Sequence, residues 1–156
     1  MIRNFTFLIQ GGLKMKASKG EEKIISLLKQ EQYEFEREKR FKDLKHGLFR
    51  FDFYVHGARP CILEYNGEQH YQYINKFYNK RSDFEGAKER DRRKISYCLA
   101  HNIPIYCIPY WELDKCTSAT DLFKEQYRAR DRWKNDHDYA EFKAKEKFDK
   151  WLGYML

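Results

Sequence analysis

Asp52 and Glu64 are the residues of this chain whose types and setting best suit chemistry. Each is a lone carboxylate inside a short apolar run, Arg50-Phe51-Asp52-Phe53-Tyr54 and Ile62-Leu63-Glu64-Tyr65-Asn66. Gly57-Ala58-Arg59-Pro60 between them reads as a turn. If the runs pair as antiparallel strands, the carboxylates meet at one end of a sheet and face one cavity. Two fixed carboxylates followed by Gln69 and His70 suit a hard divalent cation, Mg²⁺ or Mn²⁺. In a chain of net charge +7 such a cation is expected to act on a polyanion.

Phosphodiester hydrolysis needs an activated water, charge neutralised on the phosphate and a stabilised leaving oxygen. A carboxylate-held cation serves the first two together. Asp52 and Glu64 are the expected direct ligands, with the Tyr65 carbonyl a candidate third. His70 can act as general base, or donate to phosphate when protonated. Gln69 can orient water or hold the phosphate.

The positions carry duller readings too. Asp52 can pair with Arg50 or Arg37, His70 can satisfy a loop, and Asn66-Gly67 can be only a turn. Glu64 is harder to dismiss, because a carboxylate buried in an apolar strand needs a strong partner.

The combined pattern resembles the PD-(D/E)XK nuclease superfamily. It is most similar to small phage and bacterial endonuclease-like domains related to the very-short-patch repair endonucleases. The matching residues are Glu21 in an opening helix, Arg50-Phe51-Asp52-Phe53, and Leu63-Glu64-Tyr65-Asn66-Gly67-Glu68-Gln69-His70. The likeness extends through Asp91-Arg92-Arg93-Lys94 to Ile103-Pro104-Ile105, covering roughly residues 18 to 112. It implies a restriction-endonuclease-like α/β fold, with a mixed central sheet flanked by helices. It also implies a Mg²⁺-dependent DNA endonuclease of nicking, repair or mobile-element type, with catalytic residues Glu21, Asp52, Glu64, Gln69 and His70. One departure stands out: the superfamily's lysine two residues after the second acid is Asn66 here. Asn66 cannot supply a positive charge, so the general base stays open. A non-catalytic nucleic-acid-binding module with a decayed nuclease fold is the alternative.

The elements that must position these residues follow from periodicity. Ser18 and Glu21 form a capping box ahead of Ile24, Ile25, Leu27 and Leu28, which predicts a helix over 19–31; Glu21 has that role as its plain alternative. Tyr33 to Phe41 alternates like a strand, Lys45-His46-Gly47 turns, and Leu48 to Val55 is a second strand. Phe49, Phe51 and Phe53 are expected on one face of it, and Cys61 to Tyr65 forms the third strand. Gly67 to Lys80 reads as loop, Ser82 to about Asn102 as helix, and Ile103 to Ile108 as a strand with Pro104 at its start or on an edge. Thr120 to Leu152 is expected as two helices broken near Asn135-Asp136.

Residues 15–117 are thus read as the core domain and 118–156 as a helical extension packed on it. The aromatic-rich C-terminal helices also offer a homodimer surface. Residues 1–14 are expected to be translated leader, because Gly11-Gly12 precedes Met15 as a ribosome-binding sequence precedes a start; an N-terminal strand through Phe5 to Ile9 is the other reading.

Composition frames the rest. The chain's 156 residues suit one domain, and 17% aromatic content is foreign to disorder. Lys76, Lys80, Arg81, Arg92, Arg93 and Lys94 are the candidate DNA-contacting cations, interleaved with Tyr73, Phe77 and Tyr78; a solvated helix face is the rival reading. No apolar run approaches the ~18 residues of a membrane span, and no secretory cleavage pattern is present, so a cytoplasmic protein is expected. Cys61, Cys98, Cys107 and Cys116 lack zinc-site spacing and are expected to be buried thiols.

Overall fold

A computed structural model describes residues 15–130 and 132–155, with residues 132–138 given as backbone alone. The expectation about residues 1–14 lies outside the described residues. The described chain is a mixed α/β fold built on a four-stranded sheet in the order β1-β2-β3-β4.

Helix α1, Lys19–Gln30, opens with the capping box that Ser18 and Glu21 foretold. Such a cap stabilises a helix start by roughly 1 kcal/mol. Strands β1, Phe35–Arg40, β2, Arg50–Val55, and β3, Cys61–Asn66, form an antiparallel meander. Helix α2, Arg81–Ala100, then crosses over to β4, Ile105–Pro109, which pairs parallel to β3. A parallel neighbour requires such a crossover. Pro104 sits just before β4, and its carbonyl accepts the Ile62 amide at 2.8 Å, so its missing N–H disturbs no ladder.

Each face of the sheet carries its own core. Ile24, Leu27 and Leu28 of α1 pack on Phe53, Val55, Leu63 and Ile108. Ile95 and Cys98 of α2 pack on Phe51, Ile62, Ile105 and Cys107. Strands β3 and β4 alternate between the faces as period two demands, but β2 does not. Phe53 belongs to the α1 side, whereas Phe51 lies among Phe41, Tyr97 and the α2 residues. The expectation that both phenylalanines share a face is therefore corrected. The cause lies at Asp52, opposite which the β1 ladder skips and Glu38 takes a left-handed φ of 54°. A local interruption of this kind turns a strand and re-aims its side chains.

All four cysteines are buried thiols. Burial pushes the thiols of Cys61 and Cys98 up, to about 11 and about 12.

Beyond β4 come two single-turn helices, α3, Tyr110–Leu113, and α4, Ala119–Leu122. The chain then returns along β4, where the Ala129 amide donates to the Ile105 carbonyl at 2.9 Å. The final helix α5, Arg132–Met155, runs unbroken through Asn135-Asp136. This corrects the expected break: Asn and Asp lower helix propensity by only a fraction of a kcal/mol each, far less than Pro. Tyr139 of α5 stacks on Tyr71 at 4.9 Å, and Phe142 on Trp111 at 4.8 Å. Farther along, Phe148, Trp151, Leu152 and Met155 form an exposed stripe at helical spacing. Among the described residues, no helix is long and apolar enough to cross a membrane.

Candidate functional site

Strands β2 and β3 pair from Val55↔Cys61 to Phe53↔Leu63, and there the ladder stops. Side chains take over the next two backbone donors. The Asp52 amide donates to Glu64 Oε1 at 2.9 Å, and the Tyr65 amide donates to Asp52 Oδ2 at 2.8 Å. The two carboxylates therefore meet at one end of the sheet, each seated on the other strand. Asp52 Oδ1 has no hydrogen-bond partner among the described residues.

Two carboxylates this close repel. Burial first, and then the charge of Glu64, pushes the Asp52 carboxyl up to about 7, against the opposing pull of Lys94. Lys94 is the compensating cation. Its Nζ lies 2.5 Å from Glu64 Oε2 and 5.0 Å from the centre of the Phe51 ring. The side chains of Lys94 and Glu64 are only 12% and 6% exposed. Burial alone would pull the Lys94 ammonium down, but the charges of Glu64 and Asp52 reverse this and hold it above the ordinary lysine value. Sequence placed Lys94 with the DNA-contacting cations; the structure places it inside the carboxylate site.

Asp91, one turn earlier on α2, faces the same region. His70 Nδ1 lies 3.0 Å from Asp91 Oδ2, both half-buried. Glu64, Asn66, Asp91 and Lys94 line a cavity of about 10 Å³, closed beneath by Ile95, Ile105 and Cys107. That is about the room of one water. Asn66 itself is buried and donates to the Tyr71 hydroxyl at 3.3 Å.

The other expected residues are placed as follows. Glu21 accepts the Ser18 amide at 2.7 Å and stands 3.9 Å from Arg37, so its carboxylate serves the helix cap. Its charge still raises the Asp52 carboxyl. Tyr65 lays its ring across Gly20, where a Cβ would come within 2.3 Å of the ring. Gln69 folds its amide over Gly67, where a Cβ would lie 2.4 Å from Oε1. Lys76, Lys80 and Arg81 are exposed along the loop into α2, and Lys80 caps that helix through its amide on Asp83. Arg92 and Arg93 are exposed, and both pair with Glu89.

Sequence reasoning missed the roles of Asp91 and Lys94. The signal was present, since Asp91, Lys94, Ile95 and Cys98 recur at the spacing of one helix face.

The chemistry available here is clear. Asp52 Oδ1, without a hydrogen-bond partner among the described residues, is a carboxylate oxygen of the type that could hold a hard cation. Among the described residues, no three His, Cys, Asp or Glu side chains are gathered as a metal group, so such an ion would take its remaining ligands from backbone, water or substrate.

"Uncharacterized protein 307L" of Invertebrate iridescent virus 6 is 35% identical to this chain over 67 residues. The match covers 42% of this chain and only about a third, 34%, of that relative. No family model and no solved structure matches the chain.

Proposed function

We propose that the chain is a metal-dependent DNA endonuclease with a restriction-endonuclease-like fold. The observation that carries this reading is the crossed seating of Asp52 and Glu64 with Lys94 on the second carboxylate. Such a buried, like-charged pair is costly for folding alone, which points to function. Asp52, Glu64 and the Tyr65 carbonyl would hold Mg²⁺ or Mn²⁺. A bound cation would acidify water and polarise the phosphate.

The chain's own groups supply the rest. Lys94 delivers the positive charge that Asn66 lacks, reaching the site from α2 instead of from β3. Glu64 fixes the direction of that ammonium. Asp91 holds His70 at Nδ1 and so orients the imidazole that would move a proton. Exposed Lys76, Lys80 and Arg81, in the segment that follows His70, would draw in the DNA backbone.

The test is a plasmid-nicking assay with Mg²⁺, Mn²⁺ and EDTA. Cutting that depends on the ion supports the reading. A pure chain that binds DNA but cuts no form of it with either ion supports the second reading, a non-catalytic binding module. That reading draws on Lys94 pairing with Glu64 Oε2.

A further inference from the structure

The loop between β1 and β2 is an odd piece of surface. Lys45, His46 and Gly47 follow one another in left-handed conformation, with φ of 47°, 53° and 75°. For Lys and His this costs about 1–2 kcal/mol per residue. The loop is nonetheless well tied: Arg40 Nη1 donates to the Gly47 carbonyl at 2.6 Å, and the Gly47 and Leu48 amides donate to Leu44 and Lys45 at 3.0 Å. The product of that strain is Leu48, 69% exposed at the loop's end. The loop packs Phe41 and Leu44 against the α2 side of the core and leaves Leu48 as the apolar side chain outside it.

Its surroundings are cationic. Arg40, Lys42 and Lys45 are exposed. The loop's one acid, Asp43, is engaged by the Tyr97 hydroxyl at 2.8 Å and by His101 at 3.2 Å. The loop also leaves the sheet at the carboxylate end, because β2 starts at Arg50, two residues before Asp52. Leu48 is four residues from Asp52, at most roughly 13 Å of extended chain. That equals about four base-pair steps of a duplex.

We propose that this loop grips duplex DNA beside the cutting site: Lys42 and Lys45 hold phosphates, and Leu48 presses into the minor groove as a wedge. Apolar side chains flanked by cations act this way on duplexes, unstacking a step and bending the helix. The proposal rests on the endonuclease reading of the neighbouring carboxylates, but its test does not require cutting.

The experiment is fluorescence anisotropy of the full chain on a 30-base-pair duplex in EDTA across a salt series, with end-labelled duplex reporting bending by energy transfer. Lys42→Gln/Lys45→Gln should weaken binding and lower the salt slope by about 2, near one per lost phosphate contact. Leu48→Ala should keep the slope, weaken binding by about tenfold, the worth of one buried leucyl side chain, and reduce the bend. All three side chains are exposed, so the variants should melt with the parent, and a melting curve checks this. Unchanged salt slope in the double variant, or unchanged affinity and bend in Leu48→Ala, overturns the proposal. A parent that binds and bends DNA through these residues but never cuts overturns the endonuclease reading alone. A parent that cuts while the loop variants bind and bend as it does overturns the loop alone.

Discussion

Lys94 and Glu64, thirty positions apart in sequence, form an almost solvent-free ion pair with Nζ 2.5 Å from Oε2. The contact ties the middle of α2 to the end of β3. It therefore bears on stability and on chemistry together.

Lys94→Met should be costly on both counts. Removing one partner of a buried pair leaves the other charge uncompensated, which costs about 3–5 kcal/mol. Urea denaturation should show that loss, and the nicking assay should show no cutting. Added Mg²⁺ should recover part of the stability, because the ion replaces the missing charge. Lys94→Met with parental stability would remove the pair from the account.

Asp52→Asn and Glu64→Gln should abolish cutting while leaving DNA affinity close to parental. Both changes keep shape and remove the charge a cation requires. Nicking and anisotropy, run side by side, check this. Retained cutting in either variant would exclude that carboxylate as a ligand.

His70→Ala should slow cutting by about 10²–10⁴-fold if its imidazole moves the proton. Asp91→Asn should cost less and should move the pH profile, since Asp91 holds His70 at Nδ1. Rates measured from pH 5 to 9 separate the two. An Asp91→Asn profile superimposable on the parent's would assign Asp91 a structural role alone.

The raised Asp52 carboxyl makes stability fall as pH rises. Below about 4 the group is protonated in the folded and unfolded chain alike. Between about 4 and 7 the folded chain holds a proton that the unfolded chain has released, so the stability present at low pH is lost on rising through about 7. Asp52→Asn should flatten that portion of the pH–stability curve. Metal-dependent cutting should run the other way and climb toward pH 7, because a cation needs the ionised carboxylate.

Gly20→Ala should destabilise by about 1–3 kcal/mol, since the new methyl would collide with the Tyr65 ring. Thermal melting checks it. The strain falls on the residue whose amide seats Asp52, so cutting should also decline.

Much of this arrangement could be read from the chain itself. Ile24, Leu27 and Leu28 at helical spacing behind Ser18 and Glu21 fix α1, and alternation marks Cys61 to Tyr65 as a strand. The meeting of Asp52 with Glu64 followed from two adjacent strands. The turn of β2 at Asp52 did not, because it depends on the left-handed Glu38 of the neighbouring strand, which no local propensity announces. Lys94 was hidden by company: in Arg92-Arg93-Lys94 all three look like solvated cations, and only the helix phase separates the inward one from the pair on Glu89. The short helix α3 lies where no element was expected, whereas α4 falls at the start of the Thr120–Leu152 stretch expected as helix; each is a single turn held by its surroundings.

The four buried thiols give the molecule a chemical clock. A thiol-specific reagent needs both access and thiolate, and Cys61 and Cys98 offer neither while the core is shut. Cys98 lies on the buried face of α2 and Cys116 packs in the core on the α1 side, so their labelling rates time the parting of each layer from the sheet separately. Equal rates at the two sites would mean that the layers open as one cooperative unit; unequal rates would mean that one helix lifts while the other stays docked.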